Sequence, residues 1–573
     1  MKRRPTSWYL WKLMRYAPFI CVLHAILWGM INASTLLYGV FISRLIADLE
    51  TGANDRATIF ALAFAGLGIG QAVLWLIAGR TELVMRFSVS SGVVRRNLLR
   101  MLLATPGAVA LSHSVGDTLS RFRDDAYMAE DALDWTNEIV LQVLIACSAL
   151  GVMLWIDTPL TLMTVIPTLA IILGARLAGG HLASLRRASS EATSRFTSTV
   201  GDVVAASLSI QAAGASDRTI HHIAGLAGDR RSATLKDRIV TQAVDGITWN
   251  ASAIGTGLVM LFAASRIHEG KLSVAEFVLF TAWLGTVTNI AVDLGRYLAQ
   301  MAAARVAFDR MEAIAERAPA DMTIVDHTLL YLTGAIPELP AQPAPIHTQI
   351  DALSMAIAGQ QIALPRGQMI AITGRIGSGK TRVLQSLLEL DPAGEAAFLL
   401  DSAALDNVSE DLNIGYVPQV PKLFHGTVRE NILLDRDVDE VSLHEALTLA
   451  ALDYDLARFP DGLDTIVGAR GLRVSGGQAQ RIALTRALVT RPMLLVVDDL
   501  SSALDVDTER AVWSGLRSQP VLTILAVSHR RFVLEQADEI VVLRAGAVDA
   551  CGPLDEVLAN SSEMRTLWDE EET

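Results

Sequence analysis

Charge is sparse in this chain and cysteine nearly absent. Only 19% of its 573 residues are Asp, Glu, Lys or Arg, against 51% hydrophobic. A soluble domain carries about 25% charge, so this balance excludes an ordinary soluble enzyme and points to membrane segments. The three cysteines, Cys21, Cys147 and Cys551, lie far apart and two of them sit in apolar runs. That spacing excludes a disulfide framework and a cysteine metal site, and all three are expected to be reduced core residues. Basic residues are short in one half. Residues 1–318 hold 29 Lys and Arg against 24 Asp and Glu, whereas 319–573 hold 19 against 37. An acidic C-terminal half argues against a nucleic-acid binder, because phosphate backbones demand a basic surface. No small-residue cleavage site follows Lys2, Arg3 and Arg4, and the first apolar run is too long for a signal-peptide core.

Six stretches in the first 318 residues contain no Asp, Glu, Lys or Arg: 17–43, 57–79, 139–156, 158–175, 246–265 and 277–292. About 20 apolar residues cross a bilayer core as a helix, so six transmembrane helices are predicted. The connections 44–56, 157 and 266–276 are short, whereas 80–138 and 176–245 are long and carry Arg95, Arg96, Arg186, Arg187, Arg230 and Arg231. Positive charge stays inside, which puts the long segments and the N-terminus in the cytoplasm, in a plasma membrane of bacterial inner-membrane type. The long segments lack Gly/Pro clusters and are expected to be helical extensions of the spans. Residues 319–347, with Pro319, Pro337, Pro340, Pro343 and Pro345, read as a linker. From 348 to 573 short apolar runs alternate with helical patterns, as in an α/β nucleotide-binding domain. The expectation is therefore a multidomain chain: an all-α six-helix transmembrane domain over 1–318, then an α/β P-loop domain.

Gly374-Arg375-Ile376-Gly377-Ser378-Gly379-Lys380-Thr381 fits G-x-x-x-x-G-K-[ST]. This spacing builds a loop whose backbone N–H groups surround a phosphate chain. Lys380 reaches the β and γ phosphates and the Thr381 hydroxyl ligates Mg²⁺. The apolar run 369–373 reads as the preceding buried strand, and the helix that follows turns its positive end toward the anion. Further motifs follow in order: Gln419 after Tyr416-Val417-Pro418; Ser475-Gly476-Gly477-Gln478, with Gln480-Arg481 behind it; Leu494 to Val497 running into Asp498-Asp499; Ser502-Ala503-Leu504-Asp505; and His529 in Val527-Ser528-His529-Arg530. Each alone is weak. A histidine after an apolar strand is usually structural, and Ser-Gly-Gly is usually a turn.

Together, behind a P-loop and six apolar spans, these residues resemble the ATP-binding cassette (ABC) exporters in their half-transporter arrangement. The resemblance covers essentially the whole chain. It implies that 374–381 binds ATP phosphates and that Asp498 holds Mg²⁺ with Thr381 and Gln419 beside it. It implies that His529 contacts the γ-phosphate and orients the attacking water. Ser475, Gly476, Gly477 and Gln478 would bind the γ-phosphate of a nucleotide held by another chain's P-loop, so two such chains must pair. Gly116 to Arg121 resembles the first coupling-helix region, and Phe196–Gly201 falls where the second would lie.

Two departures stand out. The family places a glutamate after the Mg-binding aspartate as general base, and here that position is Asp499, one methylene shorter. Its oxygens stop ~1.5 Å short, and a misplacement near 1 Å can cost about 10²-fold in rate. The family's adenine-stacking aromatic, expected near Ile357, is also missing: no Phe, Tyr or Trp occurs from 332 to 397. Val474 replaces the usual leucine, but the Ser-Gly-Gly-Gln clasp is intact. The asymmetry implies a degenerate ATP site, and a non-identical second half-transporter as partner. A homodimeric exporter and a nucleotide-gated channel or sensor are the alternatives. The cargo is unread. His24, Trp28 and Asn32, spaced i, i+4, i+8, are candidates for a cavity wall, as are Trp249, Asn250, Trp283 and Asn289, with interhelical packing as the competing reading. Asp245, Asp293 and Arg296 are expected to pair between helices.

Overall fold

The computed structural model describes residues 4–87, 92–105, 115–177, 179–314, 322–326, 353–391, 393–401, 403–405, 408–467 and 474–570. Apart from 322–326, the predicted linker lies outside the described residues. The chain divides into two compact units, one holding Met1–Ala104 and Ser112–Ala335 and the other built on Ile336–Thr573.

Every described regular element of the first unit is helical. In order these are α1 Thr6–Tyr16, α2 Pro18–Glu50, α3 Asn54–Val84, α4 Gly92–Leu103, α5 Val115–Ser120, α6 Ala126–Ile156, α7 Thr158–Leu177, α8 Gly179–Ala205, α9 Ser207–Ala212, α10 Ser216–Trp249, α11 Ala251–His268 and α12 Val274–Ile314. Among the described residues four stretches, Pro18–Glu50, Asn54–Leu103, Gly116–Ile156 and Val274–Ile314, are long and apolar enough to cross a membrane, and the apolar parts of α7 and α11 are shorter. At 1.5 Å per residue the 41 residues of α12 extend ~60 Å, about twice a hydrocarbon core. The predicted fifth span, 246–265, is not continuous. Asn250 interrupts it between α10 and α11, and its Nδ2 donates to Gly246 O at 2.8 Å. An asparagine side chain competes in this way with the helix ladder, a local effect that hydropathy does not register.

Polar residues tie the helices together. Asp157 alone separates α6 from α7; its Oδ1 accepts from Leu160 N at 2.9 Å, capping α7, and its Oδ2 accepts from Arg266 Nε on α11. Trp283 Nε1 of α12 donates to Leu36 O of α2 at 3.0 Å. Gly39 makes room for that ring, since a Cβ there would lie 2.8 Å from the indole nitrogen. Tyr9 stacks on Phe308 at 4.6 Å between ring centres, anchoring α1 on α12.

Several expectations need correction. His24 is fully buried and faces Asp134 and Glu138 of α6. Trp28 meets Trp75 edge-on at 4.9 Å, and Asn32 Nδ2 donates to Trp28 O at 2.9 Å. His24 therefore packs against α6 and Trp28 against α3, which is the competing packing reading, and Asn32 bonds within α2. Trp283 is likewise buried in packing, Asn289 is exposed, and the Trp249 side chain lies outside the described set. Arg296 pairs with Asp293 at 3.3 Å within α12, one turn apart, so the pair joins two residues of the same helix. Cys21 is buried and Cys551 partly so, but Cys147 is exposed on the apolar flank of α6. Gly116–Arg121 forms α5 and opens a π-helical turn, where Asp117 is gripped by Arg121 at 2.8 Å and Arg310 at 2.9 Å. Phe196–Gly201 sits inside α8, and the helix breaks later, at Ala206.

The second unit mixes helices with strands β1 Leu353–Ile357, β2 Gln360–Ala363, β3 Met369–Thr373, β4 Ala397–Leu400, β5 Ala403–Ala404, β6 Ile414–Val417, β7 Gly426–Thr427, β8 Ile466–Val467, β9 Leu494–Asp498, β10 Thr523–Val527, β11 Glu539–Arg544 and β12 Ala547–Gly552. The main sheet runs β12-β11-β3-β10-β9-β6, parallel throughout except for the edge strand β12. Its central strands β3, β9 and β10 are buried at every residue, which is why they read as continuous apolar runs and not as alternating ones. A smaller antiparallel sheet, β2-β1-β4-β5, completes the unit.

Candidate nucleotide site

Parallel strands collect their C-terminal ends on one edge, where α/β folds bind ligands. Four adjacent strands deliver the predicted residues there. β3 leads into the loop 374–381, β10 into His529, β9 into Asp498 and Asp499, and β6 into Gln419. Sequence motifs 155 residues apart, from Gly374 to His529, thus become neighbours through strand order alone.

The loop needs its glycines. Gly374 has φ +150°, and a Cβ there would lie 2.3 Å from Leu543 O on β11 and 2.7 Å from Ser378 Oγ. Gly377 and Gly379 have φ +85° and +96°, and Gly379 caps the helix α13, Lys380–Leu387. Lys380 Nζ donates to Gly374 O at 2.5 Å and Arg375 O at 3.0 Å, holding the ammonium over the loop. Burial lowers its pKa, opposed by the charges of Asp498 and Asp499. Arg375 is tied to Glu563 of the C-terminal helix at 3.1 Å. Ile376 is fully exposed, so only its backbone faces the loop's business. Ser378 Oγ is buried without a hydrogen-bond partner.

Thr381 Oγ1 donates to Asp498 Oδ1 at 3.3 Å. Asp498 is buried, and desolvation raises its pKa; the neighbouring Asp499 charge adds to this, while the Thr381 hydrogen bond and Lys380 oppose it. A hydroxyl and a buried carboxylate converging beside a lysine make a hard-oxygen set that fits Mg²⁺, with Gln419 close by. Thr381 and Asp498 would hold the ion, which would supply positive charge to offset that of a bound phosphate chain. Asp499 adopts a left-handed backbone, φ 50° and ψ 59°. Its N–H donates to Val527 O at 3.0 Å, its Oδ2 accepts from Gln419 Nε2 at 3.3 Å, and its buried Oδ1 has no hydrogen-bond partner. His529 is exposed at the same edge.

Beside the loop lies a cleft of about 650 Å³, whose walls include Ile357, Ala358, Gly377, Gly379 and Arg382. Among the described residues no aromatic side chain lines it. Ile357 stands where the stacking ring was expected.

Ser475 caps the helix Gly476–Leu488 in a reciprocal box with Gln478. Gly477 is required because a Cβ would fall 2.6 Å from Ala503 O. Among the described residues no hydrogen bond or ion pair joins Ser475–Gln478 to the loop 374–381 of the same chain. Two residues escaped sequence reasoning. Gln480 Nε2 lies within hydrogen-bond distance of Gln419 O (3.3 Å), Asp499 O (3.4 Å) and Ser502 Oγ (3.0 Å), so one amide joins three motif segments. Asp455 accepts from Gln478 Nε2 at 3.0 Å and pairs with Arg481 at 2.6 Å, bracing the clasp from outside it. The Gln480-Arg481 pair behind the clasp was the available signal for the first. Asp455 carried none.

The decisive comparison is with family models. The ABC transporter transmembrane region matches residues 19–290 and the ABC transporter model matches 358–502. The chain belongs to the ABC transporters. This ABC chain is 28% identical over 531 residues to an ATP-dependent lipid A-core flippase of Chromobacterium violaceum, covering 88% of this chain and 87% of that protein. It is 30% identical over 328 residues to the probable multidrug resistance ABC transporter ATP-binding/permease protein YheI of Bacillus subtilis, a match spanning 54% of this chain and about half (53%) of that protein. A solved bacterial Atm1-family ABC exporter with ATP bound shares its fold, with a TM-score of 0.77 at 21% identity over 96% of this chain and 98% of the other. The architecture is thus a helical transmembrane half followed by a β-containing ATPase half. An ATPase domain of this family implies ATP binding, and the apolar helices accord with a multi-pass membrane protein.

Proposed function

We propose that this chain is one half of an ATP-driven exporter that moves cargo out of the cytoplasm across an inner plasma membrane by alternating access, with its six predicted spans in the bilayer and its ATPase half and N-terminus in the cytoplasm. Two chains clasp ATP between them, the P-loop of one facing Ser475–Gln478 of the other. The separation of clasp and P-loop within one chain supports this, since neither chain completes a site alone. The partner is a non-identical half-transporter, and the site built on this chain's own loop 374–381 hydrolyses slowly.

Asp499 carries that last reading. It ends the Walker strand where the family has glutamate, it is one methylene short, and its Oδ2 is held by Gln419 at 3.3 Å. A carboxylate ~1.5 Å short of its water is a poor general base. The aromatic-free cleft beside Ile357 supports loose adenine binding in the same site; a base–aromatic stack is worth about 1–3 kcal/mol. The test is ATPase of the purified chain, alone and with its genomic neighbour. Asp499→Asn leaves the slow turnover of the lone chain almost unchanged, Asp499→Glu raises it at least tenfold, and the unlike chain restores brisk hydrolysis. Brisk turnover by the lone chain, abolished by Asp499→Asn, sinks the degenerate-site reading. The homodimer reading has one specific support, that this chain holds both an intact P-loop and an intact clasp; ATP-dependent crosslinking of lone copies selects it.

A further inference from the structure

A second charged site lies in the first unit, remote in sequence from every nucleotide motif. His24 of α2 is fully buried, and among the described residues neither ring nitrogen has a hydrogen-bond partner. Its Nε2 stands 3.1 Å from Asp134 Oδ1 and 3.5 Å from Glu138 Oε1, both on α6, but neither approach has hydrogen-bond geometry. The three ligand atoms all lie within 4.8 Å of one another. A tetrahedral ion with nitrogen and oxygen ligands at about 2.1 Å sets them about 3.4 Å apart, so the imidazole-to-carboxylate spacings suit an ion between them.

The remaining atoms of the cluster are occupied in a way that leaves these three for a cation. Asp134 turns its other oxygen, Oδ2, toward Arg86 Nη1 at 3.8 Å. Glu138 turns Oε2 toward Gln142 Nε2 at 3.5 Å. Arg86 also serves Glu82 at 3.0 Å and Asp131 at 2.9 Å. One guanidinium therefore faces three carboxylates, and Glu138 makes a fourth. Of these four carboxylates Asp134 is buried and the other three are part-buried, and one arginine leaves negative charge that a cation would balance. Carboxylates four residues apart share a helix face, which is how Asp134 and Glu138 converge on one imidazole.

The geometry points to a divalent transition-metal site, of the size and ligand preference of Zn²⁺, made by His24, Asp134 and Glu138, with water completing the coordination. One imidazole and two carboxylates match the ligand classes of Zn²⁺ and its neighbours. The ion bridges α2 to α6, and Arg86 and Gln142 orient the two carboxylates from outside.

The test uses the full chain in detergent, tag removed, stripped with EDTA and free of nucleotide, titrated with Co²⁺ alone. The exposed neighbours His221 and His222 are replaced by alanine throughout to remove adventitious binding. We expect one Co²⁺ per chain with visible absorption bands, displaced by Zn²⁺. His24→Gln and Glu138→Gln abolish the bands, and Gln142→Leu weakens Co²⁺ binding about tenfold. Zn²⁺ raises the melting temperature of the unaltered site and leaves that of Glu138→Gln unmoved. No stoichiometric Co²⁺ uptake, or bands that survive both ligand substitutions, overturns the assignment. Should His24→Gln fail to fold, the stoichiometry of the unaltered site and the Glu138→Gln titration still decide it.

Discussion

Gly374→Ala is the sharpest test of how the nucleotide loop is built. The new Cβ would lie 2.3 Å from the Leu543 carbonyl oxygen, about 1 Å inside contact, and that oxygen belongs to a strand locked in the sheet beside β3. The φ of +150° adds backbone strain for any residue with a Cβ. Strain of about 1–3 kcal/mol and overpacking of a similar size give a loss of about 2–6 kcal/mol. Gly377→Ala is the matched control: φ is +85°, but nothing lies within 4 Å of the Cβ, so it carries only the strain. Hydrogen exchange of peptides spanning 369–373 and 539–544 reads the difference locally. At 1.4 kcal/mol per factor of ten, Gly374→Ala should exchange at least about 30-fold faster than the parent, and at least about 5-fold faster than Gly377→Ala, which lacks the overpacking. ATP affinity should fall further for Gly374→Ala. Equal exchange in the two variants would refute the close approach of β11 as the reason for that glycine.

Asp498→Asn should stabilise the nucleotide-free protein at neutral pH while abolishing Mg²⁺-dependent ATP binding. Because burial raises the folded pKa of Asp498 above the ordinary 3.8, its favourable contribution is complete below that value and is lost as pH rises through the folded pKa. Melting curves from pH 3 to 7 check this, and a variant that melts below the parent at pH 7 contradicts it. Gln480→Leu strips the shared donor from two backbone carbonyls, costs about 1–3 kcal/mol, and slows ATP turnover of the assembled transporter up to about 10²-fold; an unchanged rate argues against its bridging role. Asp157→Ala removes both the cap of α7 and the partner of Arg266, a loss of about 3 kcal/mol seen as a lower melting temperature, whereas Arg266→Lys retains much of it.

The nucleotide chemistry was legible because its motifs are local. A P-loop declares its glycines within eight residues, and buried parallel strands declare themselves as apolar runs such as 494–497. What tertiary structure alone supplied is different in kind. The periodicity of His24, Trp28 and Asn32 marked a helical face, but Asp134 lies 110 positions away, and no pattern names the helix that face will meet. Asp455 braces Gln478 across 23 positions in the same silent way. Asn250 was named as a cavity-wall candidate, but hydropathy does not register a side chain that shares a carbonyl of its own helix with the backbone. Arg296 and Asp293 were expected to pair between helices, but three positions apart on α12 they meet on one face of the same helix.

A corner made of one residue has no slack. With Asp157 fastened to the first turn of α7 and to Arg266 of α11, three helices share a single pivot, and a rocking motion of one must carry the other two. In whatever conformational cycle this protein performs, the three helix ends joined there should shift as one bracket.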